Sequence, residues 1–373
     1  MVPPLPADER LLVDIRSPGT PGFKLAVGRT EADGAAAYGR DPVAEHLART
    51  GTLACEDAVR LMLALSRPGQ LVVDIGCHVG QFSLAAAAAG RRVFALDASR
   101  RNLSLLRASI EANGYDQVET CHAVASDAPG ELRFNEAGPF GGVIPDACQH
   151  GGIVPAVRVG DLLASRPGPV GFVKIDVEGF EVEALTGMAD WLAGNGWPPL
   201  LFESHLMGHE ERGRSVADLR ELVRRIGYPH QHLVAGSRLF TLPPDHPQPS
   251  IVADFLATVD PSPRMPQRAA AQAMAGGDFA DLLIYDAECH AKEPEALLAL
   301  GRHFRASRHP ILDEPRVRFF LGEIGKHPDP RVKEAFSPWP VGGAFSLLRL
   351  QRMASQGFAY IMRALAWPFR KAG

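Results

Sequence analysis

Two acidic residues flank a glycine-rich turn early in the chain, at a spacing that indicates a nucleoside-binding site. Asp74 ends the apolar run LVVD and precedes Gly76 and Gly80, and Asp97 ends the next apolar run, RVFALD. In open α/β sheets, ligands bind at the carboxyl ends of the strands. A carboxylate before the turn can hold a cationic group, and one at the end of the second strand can accept hydrogen bonds from ribose hydroxyls. The pair therefore predicts a nucleoside that carries an amino acid, which is S-adenosylmethionine.

The turn does not fit the pattern of a dinucleotide site. The dinucleotide fingerprint requires glycines at GxGxxG, and from Gly76 its second and third positions fall on His78 and Gln81. The shorter pattern GxGxG is matched at Gly76 and Gly80. This spacing suits a ligand without a pyrophosphate and disfavours a dinucleotide-dependent oxidoreductase. A structural alternative for the two acids is that each caps a loop or helix, because Asp is a strong cap.

A second group of acidic residues lies at the ends of two later strands. The run FVKIDVEGFE places Asp176 at a strand end with Glu178 two residues on, and the run LLFESH ends in Glu203 and His205. With Glu181, this run holds three carboxylates within six residues, and they would repel unless a cation, a metal or a substrate lies there. The alternative is that Glu178 and Glu181 complement the N-terminus of the following helix. Because the ligands of such sheets lie at this edge, we expect Asp176, Glu178, Glu203 and His205 to be catalytic.

A metal ion is one alternative at this edge. His205 and His209 stand four residues apart and would share one face of a helix, as metal ligands do. Gly208 lies between them and the segment follows a strand, so it is interpreted as a loop and a divalent metal is not favoured. A hydroxyl acceptor also needs a base for its proton, and the candidates are Asp176, Glu203 and His205. His205 and Asp176 are preferred, and the sequence does not separate them.

The elements that position these residues alternate between strands and helices. Each predicted strand contains a short apolar run, and the predicted helix at 100–113 carries an apolar stripe. Strands are predicted at 71–76, 92–97, 118–126, 169–177 and 199–204, and helices at 81–89, 100–113, 181–193 and 215–226. This alternation predicts an α/β fold of the Rossmann-like type, with a mostly parallel sheet and helices on both faces.

The remaining segments define the domain organisation. Residues 1–40 are interpreted as a loose lead-in with a short hairpin, 41–288 as the α/β domain, and 289–373 as a helical C-terminal extension. Within the domain, 243–278 is interpreted as an insertion and 281–287 as the strand that closes the sheet.

Four shorter segments complete the α/β domain. Residues 41–65 fit one or two helices, and residues 131–134 extend the third strand or add a ribbon. Residues 232–242 are predicted to form a hairpin around Ala-Gly-Ser. The stretch 136–157 is rich in glycine and proline without a clear period, which indicates a long irregular loop.

Several of these blocks resemble the FkbM family of S-adenosylmethionine-dependent methyltransferases. The resemblance covers about residues 40–240 and is carried by VVDIGCHVGQFSL, VFALDAS, AVASDAPGELRF, KIDVEGFE and LLFESH. The run KIDVEGFE is the most specific of these motifs. The resemblance implies a class I methyltransferase fold and a cofactor site formed by Asp74, Gly76, His78, Gly80, Asp97, Ala98, Ser126, Asp127 and Asp176.

The family motifs also imply a role for each position. The turn after the first strand would contact the methionine part of the cofactor, and Asp97 would hold the ribose. Ser126 and Asp127 would lie near the adenine, and Asp176 and Glu178 would face the transferred methyl group. The chain departs from the family at the second turn position, which is usually Asn or Gly, and at Asp97, where Glu is more common.

The resemblance implies methyl transfer to a hydroxyl of a sugar, a glycolipid or a secondary metabolite. One alternative is an N- or C-methyltransferase that acts on a small molecule. Another is a non-catalytic module that binds only the cofactor or a partner. The presence of Asp74, Asp97, Asp176 and Glu203 favours an enzyme, because a degenerate domain would be free to lose these acids.

The composition indicates which partners and which cellular compartment such an enzyme would have. The net charge of −4 gives no basic excess that would indicate binding to nucleic acid. The five cysteines form no CxxC pair, which favours a reducing compartment and a cytoplasmic location. No apolar stretch reaches the ~18 residues of a transmembrane helix. Residues 345–371 combine basic and aromatic side chains, so we expect a helix packed on the α/β domain, with peripheral membrane contact as the alternative.

Overall fold

The computed structural model describes residues 2–29, 41–136, 141–145, 148, 150–236, 238–243, 245–261, 272–307 and 309–339. The predicted basic helix at 345–371 lies outside the described residues, as do parts of the lead-in and of the predicted loop 136–157. All statements about structure below refer to the described residues.

The described elements follow one another in an order that begins with strands and ends with helices. The strands are β1 (Arg10–Ile15), β2 (Phe23–Gly28), β3 (Leu71–Ile75), β4 (Arg92–Asp97), β5 (Val118–His122), β6 (Val124–Ala125), β7 (Gly130–Asn135), β8 (Gly142–Val143), β9 (Gly152–Val157), β10 (Val170–Ile175), β11 (Leu200–His205), β12 (His230–Ala235), β13 (Arg238–Thr241), β14 (Val252–Thr258) and β15 (Gln272–Ala273). The helices are α1 (Pro42–Thr50), α2 (Glu56–Leu65), α3 (Gln81–Ala88), α4 (Arg100–Asn113), α5 (Val159–Leu163), α6 (Glu181–Thr186), α7 (Ala189–Gly194), α8 (Leu206–Glu210), α9 (Val216–Ile226), α10 (Gly276–Cys289), α11 (Pro294–Ala306), α12 (Pro315–Ile324) and α13 (Pro330–Ala335), with a 3₁₀ turn at Pro310–Asp313.

The central sheet has the order β15-β13-β12-β14-β11-β10-β3-β4-β5 in the described part of the chain. The five strands from β11 to β5 pair in parallel. β14 pairs antiparallel with β11 on one side and with β12 on the other. The predicted mostly parallel sheet and the predicted hairpin at 232–242 are therefore confirmed.

Helices cover both faces of this sheet, as the alternation predicted. Val72 and Ala95 face a core that includes residues of α2, α3 and α4. Their strand neighbours Val73 and Phe94 face the opposite core, which includes residues of α6, α7 and α9. Because side chains alternate along a strand, a strand covered on both faces is apolar throughout.

The strand that closes the sheet is not the one predicted. The segment 281–287 lies within the helix α10, and the closing strand is β14, inside the stretch interpreted as an insertion. A short apolar run does not by itself distinguish a strand from a helix. In α10 the buried residues Phe279, Ala280, Leu283 and Ala287 follow a helical period. β14 was not predicted because prolines precede and follow it, and a proline-rich stretch is typical of a loop.

The predicted irregular loop is partly regular, because most of its second half is the strand β9. A second sheet has the order β6-β9-β7-β8, with β9 antiparallel to β7 and parallel to β6. β7 contains the run ELRF, so this run adds a ribbon rather than extending the third predicted strand. That strand is itself divided into β5 and β6, which belong to different sheets.

The lead-in is packed more closely than expected. β1 and β2 form the predicted antiparallel hairpin, and the Ala26 amide of β2 donates a 2.8 Å hydrogen bond to Ser109 Oγ on α4. The Leu5 amide donates to the Ser104 carbonyl on the same helix. The interpretation of residues 1–40 as loose is therefore wrong for the described part.

Helices form the last described part of the chain, and they begin with α10 at Gly276, before the predicted start of the extension at residue 289. α10 to α13 share an apolar core that includes Phe279, Phe304, Phe320 and Phe336. The same core contains Leu206 of α8, so the helical region packs against the end of β11. Among the described helices, none combines the length and the apolar character needed to cross a membrane.

Candidate active site

The turn after β3 approaches other backbone and side-chain atoms so closely that two of its positions require glycine. Gly76 has φ +75°, and a Cβ placed on it would lie 1.7 Å from the carbonyl oxygen of Asp176. Gly80 has φ +91° and is the N-cap of α3, and a Cβ placed on it would lie 2.4 Å from Leu106 Cδ1. The turn that follows β3 therefore touches the end of β10 directly.

His78 connects the turn to two acidic residues. Its amide donates a 2.7 Å hydrogen bond to Asp97 Oδ2, and its Nε2 lies 3.3 Å from Asp41 Oδ2. Burial opposes a charge on this imidazole, but the contact with Asp41 outweighs it and raises the pKa of His78. His78 also has φ +49°, a conformation that residues with a Cβ rarely adopt. Asp41, the N-cap of α1, was missed because nothing in its local sequence marks it as part of the turn.

Asp97 is buried at the end of β4 and is held by three donors. Its Oδ2 accepts from His78, and its Oδ1 accepts from the Ser99 amide at 2.8 Å and from Asn102 Nδ2 at 3.3 Å. Burial raises the pKa of Asp97 despite these hydrogen bonds, which oppose the rise. Ser99, and not Asp97, supplies the N-cap of α4. The carboxylate is thus fixed between the turn and the next helix. The carbonyl of the adjacent Ala98 accepts a 2.9 Å hydrogen bond from His122 Nε2.

Asp74 is completely buried and interacts with groups of the protein itself. Its Oδ2 accepts a 2.7 Å hydrogen bond from Ser83 Oγ, and its Oδ1 lies 3.6 Å from Lys174 Nζ. Lys174 also lies 3.1 Å from Asp176 Oδ2 and donates a 2.8 Å hydrogen bond to the Gly76 carbonyl. Burial disfavours its charge, but Asp176 and Asp74 more than compensate and raise the pKa of Lys174. The cation beside Asp74 is therefore supplied by the chain.

Ser126 and Asp127 follow β6 and border the second sheet. Ser126 is buried and donates a 3.2 Å hydrogen bond to Asp127 Oδ1, which belongs to an exposed residue. Nearby, a small apolar cluster contains Val124, Phe134, Val154 and Phe180, with Ala98 and Val177 packed against it. This cluster joins the end of β4 to the end of β10.

Glu178, Glu203 and His205 meet at the carboxyl ends of β10 and β11. One ligand-type atom from each of the three side chains lies within 4.8 Å of the others. His205 Nδ1 is 3.9 Å from Glu178 Oε2. Glu203 and His205 share one face of β11, and Glu178 has φ +54° in the loop after β10. A left-handed conformation at a residue other than glycine is strained, and such strain concentrates at functional sites.

Negative charge is crowded around this group. Burial, with Asp176 and Glu181, raises the pKa of Glu178 to about 9. Burial and the surrounding carboxylates raise the pKa of Glu203 well above its ordinary value. Asp254 lies opposite Glu203 in the register of β11 and β14, and burial with Asp176 raises its pKa to about 7. Sequence reasoning missed Asp254 because β14 itself was not recognised.

His209 does not join His205 at this edge. The segment is the short helix α8 and not the predicted loop, and a Cβ on its Gly208 would lie 3.0 Å from Gly179 Cα. This close packing of two backbones explains a glycine inside a helix. His209 is fully buried with its Nε2 3.4 Å from Glu181 Oε2, and burial lowers its pKa to about 4. The two histidines therefore lie in different environments, with His205 beside Glu178 and Glu203 and His209 beside Glu181.

The geometry defines a class of protein. The order β5-β4-β3-β10-β11-β14-β12, with β14 antiparallel and a glycine turn after β3, is that of a class I methyltransferase, a Rossmann-like fold. Residues 74–229 match the family model described as the methyltransferase FkbM domain. The resemblance predicted from the sequence is confirmed over that range, and the described part of the chain has a class I methyltransferase fold.

Solved structures with low identity also resemble part of the chain. A TehB-like SAM-dependent methyltransferase from Corynebacterium glutamicum is 14% identical over 57% of this chain and 92% of its own, with a TM-score of 0.35. A precorrin-6y C5,15-methyltransferase from Geobacter metallireducens is 15% identical over 55% and 87%, with a TM-score of 0.33. A SAM dependent methyltransferase from Aquifex aeolicus is 11% identical over 55% and 89%, with a TM-score of 0.32. With TM-scores this low, the fold assignment rests on the strand order. No curated protein matches the chain.

Proposed function

We propose that this protein binds S-adenosylmethionine and transfers its methyl group to a hydroxyl oxygen of a carbohydrate-type acceptor. The observation that carries the proposal is the contact between Gly76 and Asp176, which joins the turn of an FkbM domain to a carboxylate-rich edge. One side of this contact suits a nucleoside cofactor, and the other suits an acceptor that must lose a proton.

The cofactor would lie along the ends of β3, β4 and β6. Asp97 would accept hydrogen bonds from the ribose hydroxyls, since each carboxylate oxygen can accept more than one bond. The apolar cluster around Phe180 and Ala98 offers a surface for the adenine ring, with Ser126 and Asp127 at its border. The backbone of the turn from Gly76 to Gly80 would contact the methionine part.

The acceptor would lie at the edge formed by Asp176, Glu178, Glu203 and His205. In the transfer, the acceptor oxygen attacks the methyl carbon, the carbon–sulfur bond breaks, and its electron pair remains on sulfur. The products are the methyl ether and S-adenosylhomocysteine. The hydroxyl proton would pass to Asp176, whose carboxylate is partly exposed beside Lys174. Alignment of the two reacting atoms can by itself lower the barrier by about 7–11 kcal/mol.

Calorimetric titration tests the cofactor assignment. We expect S-adenosylmethionine to bind to the full chain and NADH not to bind. Asp97→Ala should weaken binding by about tenfold or more, because a hydrogen bond to a charged group contributes ~1.5–3 kcal/mol. Asp116→Ala, at an exposed position after α4, is the matched control and should leave the affinity unchanged. A folded protein that fails to bind S-adenosylmethionine would exclude the proposed function.

Transfer of a labelled methyl group tests the acceptor class. The labelled cofactor is incubated with a panel of sugars and with matched amino sugars and amines. We expect the label on hydroxyl oxygens of the acceptor, where it forms stable methyl ethers. Label found on amines alone would replace the hydroxyl acceptor with a nitrogen acceptor while leaving the cofactor assignment intact.

A further inference from the structure

We propose that Glu178, Glu203 and His205 bind a divalent metal ion that holds the acceptor hydroxyl at the site of methyl transfer. This inference rests on the proposed function and adds a metal that the sequence did not favour. The sequence paired His205 with His209, whereas the structure pairs His205 with two carboxylates from neighbouring strand ends.

The geometry of the three side chains is close to that of a coordination sphere. Around an octahedral Mg²⁺ at ~2.1 Å, neighbouring ligand atoms lie about 3 Å apart and opposite ones about 4.2 Å apart. The three candidate ligand atoms all lie within 4.8 Å of one another, and the Glu178–His205 pair is at 3.9 Å. Small side-chain rotations therefore suffice to bring all three onto one ion.

One buried polar atom of the group has no hydrogen-bond partner among the described residues. Glu203 Oε2 is buried and accepts no hydrogen bond from any described residue. The 3.9 Å separation between Glu178 and His205 exceeds hydrogen-bond distance. A buried carboxylate oxygen without a donor is costly, and a metal ion is one of the partners that remove this cost.

The charge of the surroundings points to a divalent cation in particular. The two glutamates at the site are accompanied by Asp176 and Asp254. Lys174 lies at the same edge, but its ammonium group is engaged by Asp74, Asp176 and the Gly76 carbonyl. A divalent ion would balance the charges of its own two carboxylate ligands.

The ligand types select the kind of ion and the kind of acceptor. Carboxylate oxygens suit Mg²⁺ and Mn²⁺, and a single imidazole is compatible with Mn²⁺. Three protein ligands leave about three of six octahedral positions open. An acceptor with two adjacent oxygens, such as a vicinal diol, would fit these positions and place one oxygen toward the cofactor. Bound in this way, the hydroxyl loses its proton more readily to Asp176.

Titration with Mn²⁺, followed by electron paramagnetic resonance, tests the site without relying on activity. The signal of free Mn²⁺ should decrease as the ion binds, and the titration should give a stoichiometry of one site per full-length chain. Glu203→Gln and His205→Gln should each weaken Mn²⁺ binding by about tenfold or more, because each removes a ligand. Glu221→Gln on α9 and His230→Gln on β12 are matched controls outside the site, and they should bind as the parent does.

Measurements on the same samples separate the two proposals. Normal binding of S-adenosylhomocysteine without Mn²⁺ binding, or with Mn²⁺ binding that the two variants do not weaken, would overturn the metal site alone. If the parent chain does not bind S-adenosylhomocysteine, the proposed function is overturned instead. Thermal melting confirms that each variant is folded, and Glu178→Gln replaces Glu203→Gln should the latter unfold.

Discussion

Lys174 donates a 2.8 Å hydrogen bond to the carbonyl oxygen of Gly76, across the boundary between β10 and β3. The same ammonium group lies between the carboxylates of Asp74 and Asp176, at 3.6 Å and 3.1 Å. One buried cation therefore fixes the glycine turn, the acid before it and the acid at the end of the neighbouring strand.

Replacing this lysine tests how much the arrangement contributes to stability. In Lys174→Met the buried Asp74 carboxylate keeps Ser83 but loses its neighbouring cation. We expect the free energy of unfolding to fall by about 3 kcal/mol, the lower end for a broken buried pair, because Asp176 is partly exposed. Urea denaturation measures the loss. Lys333→Met, at an exposed position on α13, should change stability little, and equal effects of both changes would argue against the role of Lys174.

Two glycines with positive φ distinguish close contact from backbone strain. In Gly76→Ala the new methyl group meets the Asp176 carbonyl, so we expect a loss of more than about 3 kcal/mol and no cofactor binding. In Gly114→Ala the residue has a similar φ of +67°, but nothing lies within 4 Å, so the loss should be about 1 kcal/mol. Thermal melting and calorimetry compare the two. A mild effect at Gly76 would mean that the turn can move away from β10.

The buried His246 should make the protein sensitive to acid. Burial lowers its pKa from 6.5 to about 4, so between these values the unfolded chain binds more protons and stability falls as the pH falls. The shift corresponds to about 3 kcal/mol across that interval. Its Nδ1 lies 2.8 Å from the Pro247 carbonyl, a hydrogen bond that the amide of an asparagine can replace.

His246→Asn should therefore lose less stability between neutral pH and about pH 5 than the parent chain does. Denaturant unfolding at both pH values gives the difference directly. Other buried histidines titrate in both proteins and cancel in the comparison. His230→Asn is the control, and its loss of stability between the two pH values should equal that of the parent chain. If His246→Asn also loses as much stability as the parent, His246 is not the source of the acid sensitivity.

Arg220 holds the segment that leads into β14. This buried guanidinium donates to the carbonyls of Leu242, Pro243 and His246 and to Gln231 Oε1. Arg220→Met leaves these acceptors without a donor and should cost about 3 kcal/mol. Arg220→Lys should recover only part of this loss, because a lysine cannot reproduce the fork of donors. Chemical denaturation of both, beside the exposed Arg225→Met on the same helix, gives the comparison.

The sequence predicted most of the parallel part of the sheet because β3, β4, β10 and β11 are each built around a short apolar run. β3, β4, β10 and β11 lie within a residue or two of their predicted ranges. Local sequence carried less information about β14, where prolines crowd the strand, and about α10, where three consecutive apolar residues resemble a strand. The single predicted helix at 181–193 is divided into α6 and α7, and Gly187 between them leaves room for the Ser126 carbonyl.

The candidate site was predicted residue by residue but not as an arrangement. Glu178, Glu203 and His205 each stood out because they come directly after or shortly after an apolar run. Their mutual distances depend on the pairing of β10 with β11, in which Val173 lies opposite Leu200, and on the left-handed backbone of Glu178. Neither is encoded in a short window of sequence. Asp41 and Asp254 reach the site only through tertiary contacts, and no local pattern could have indicated them.

The absence of space between Gly76 and Asp176 has a consequence for how the two ligands bind. The methionine end of the cofactor and the acceptor would both lie against the backbone where Gly76 meets Asp176, and a shift at Gly76 would displace atoms at Asp176. Their binding free energies should therefore be linked, and linkage is reciprocal, so each ligand changes the affinity for the other by the same factor. Under the proposed function, departure of the methylated acceptor would therefore change the affinity of the protein for S-adenosylhomocysteine.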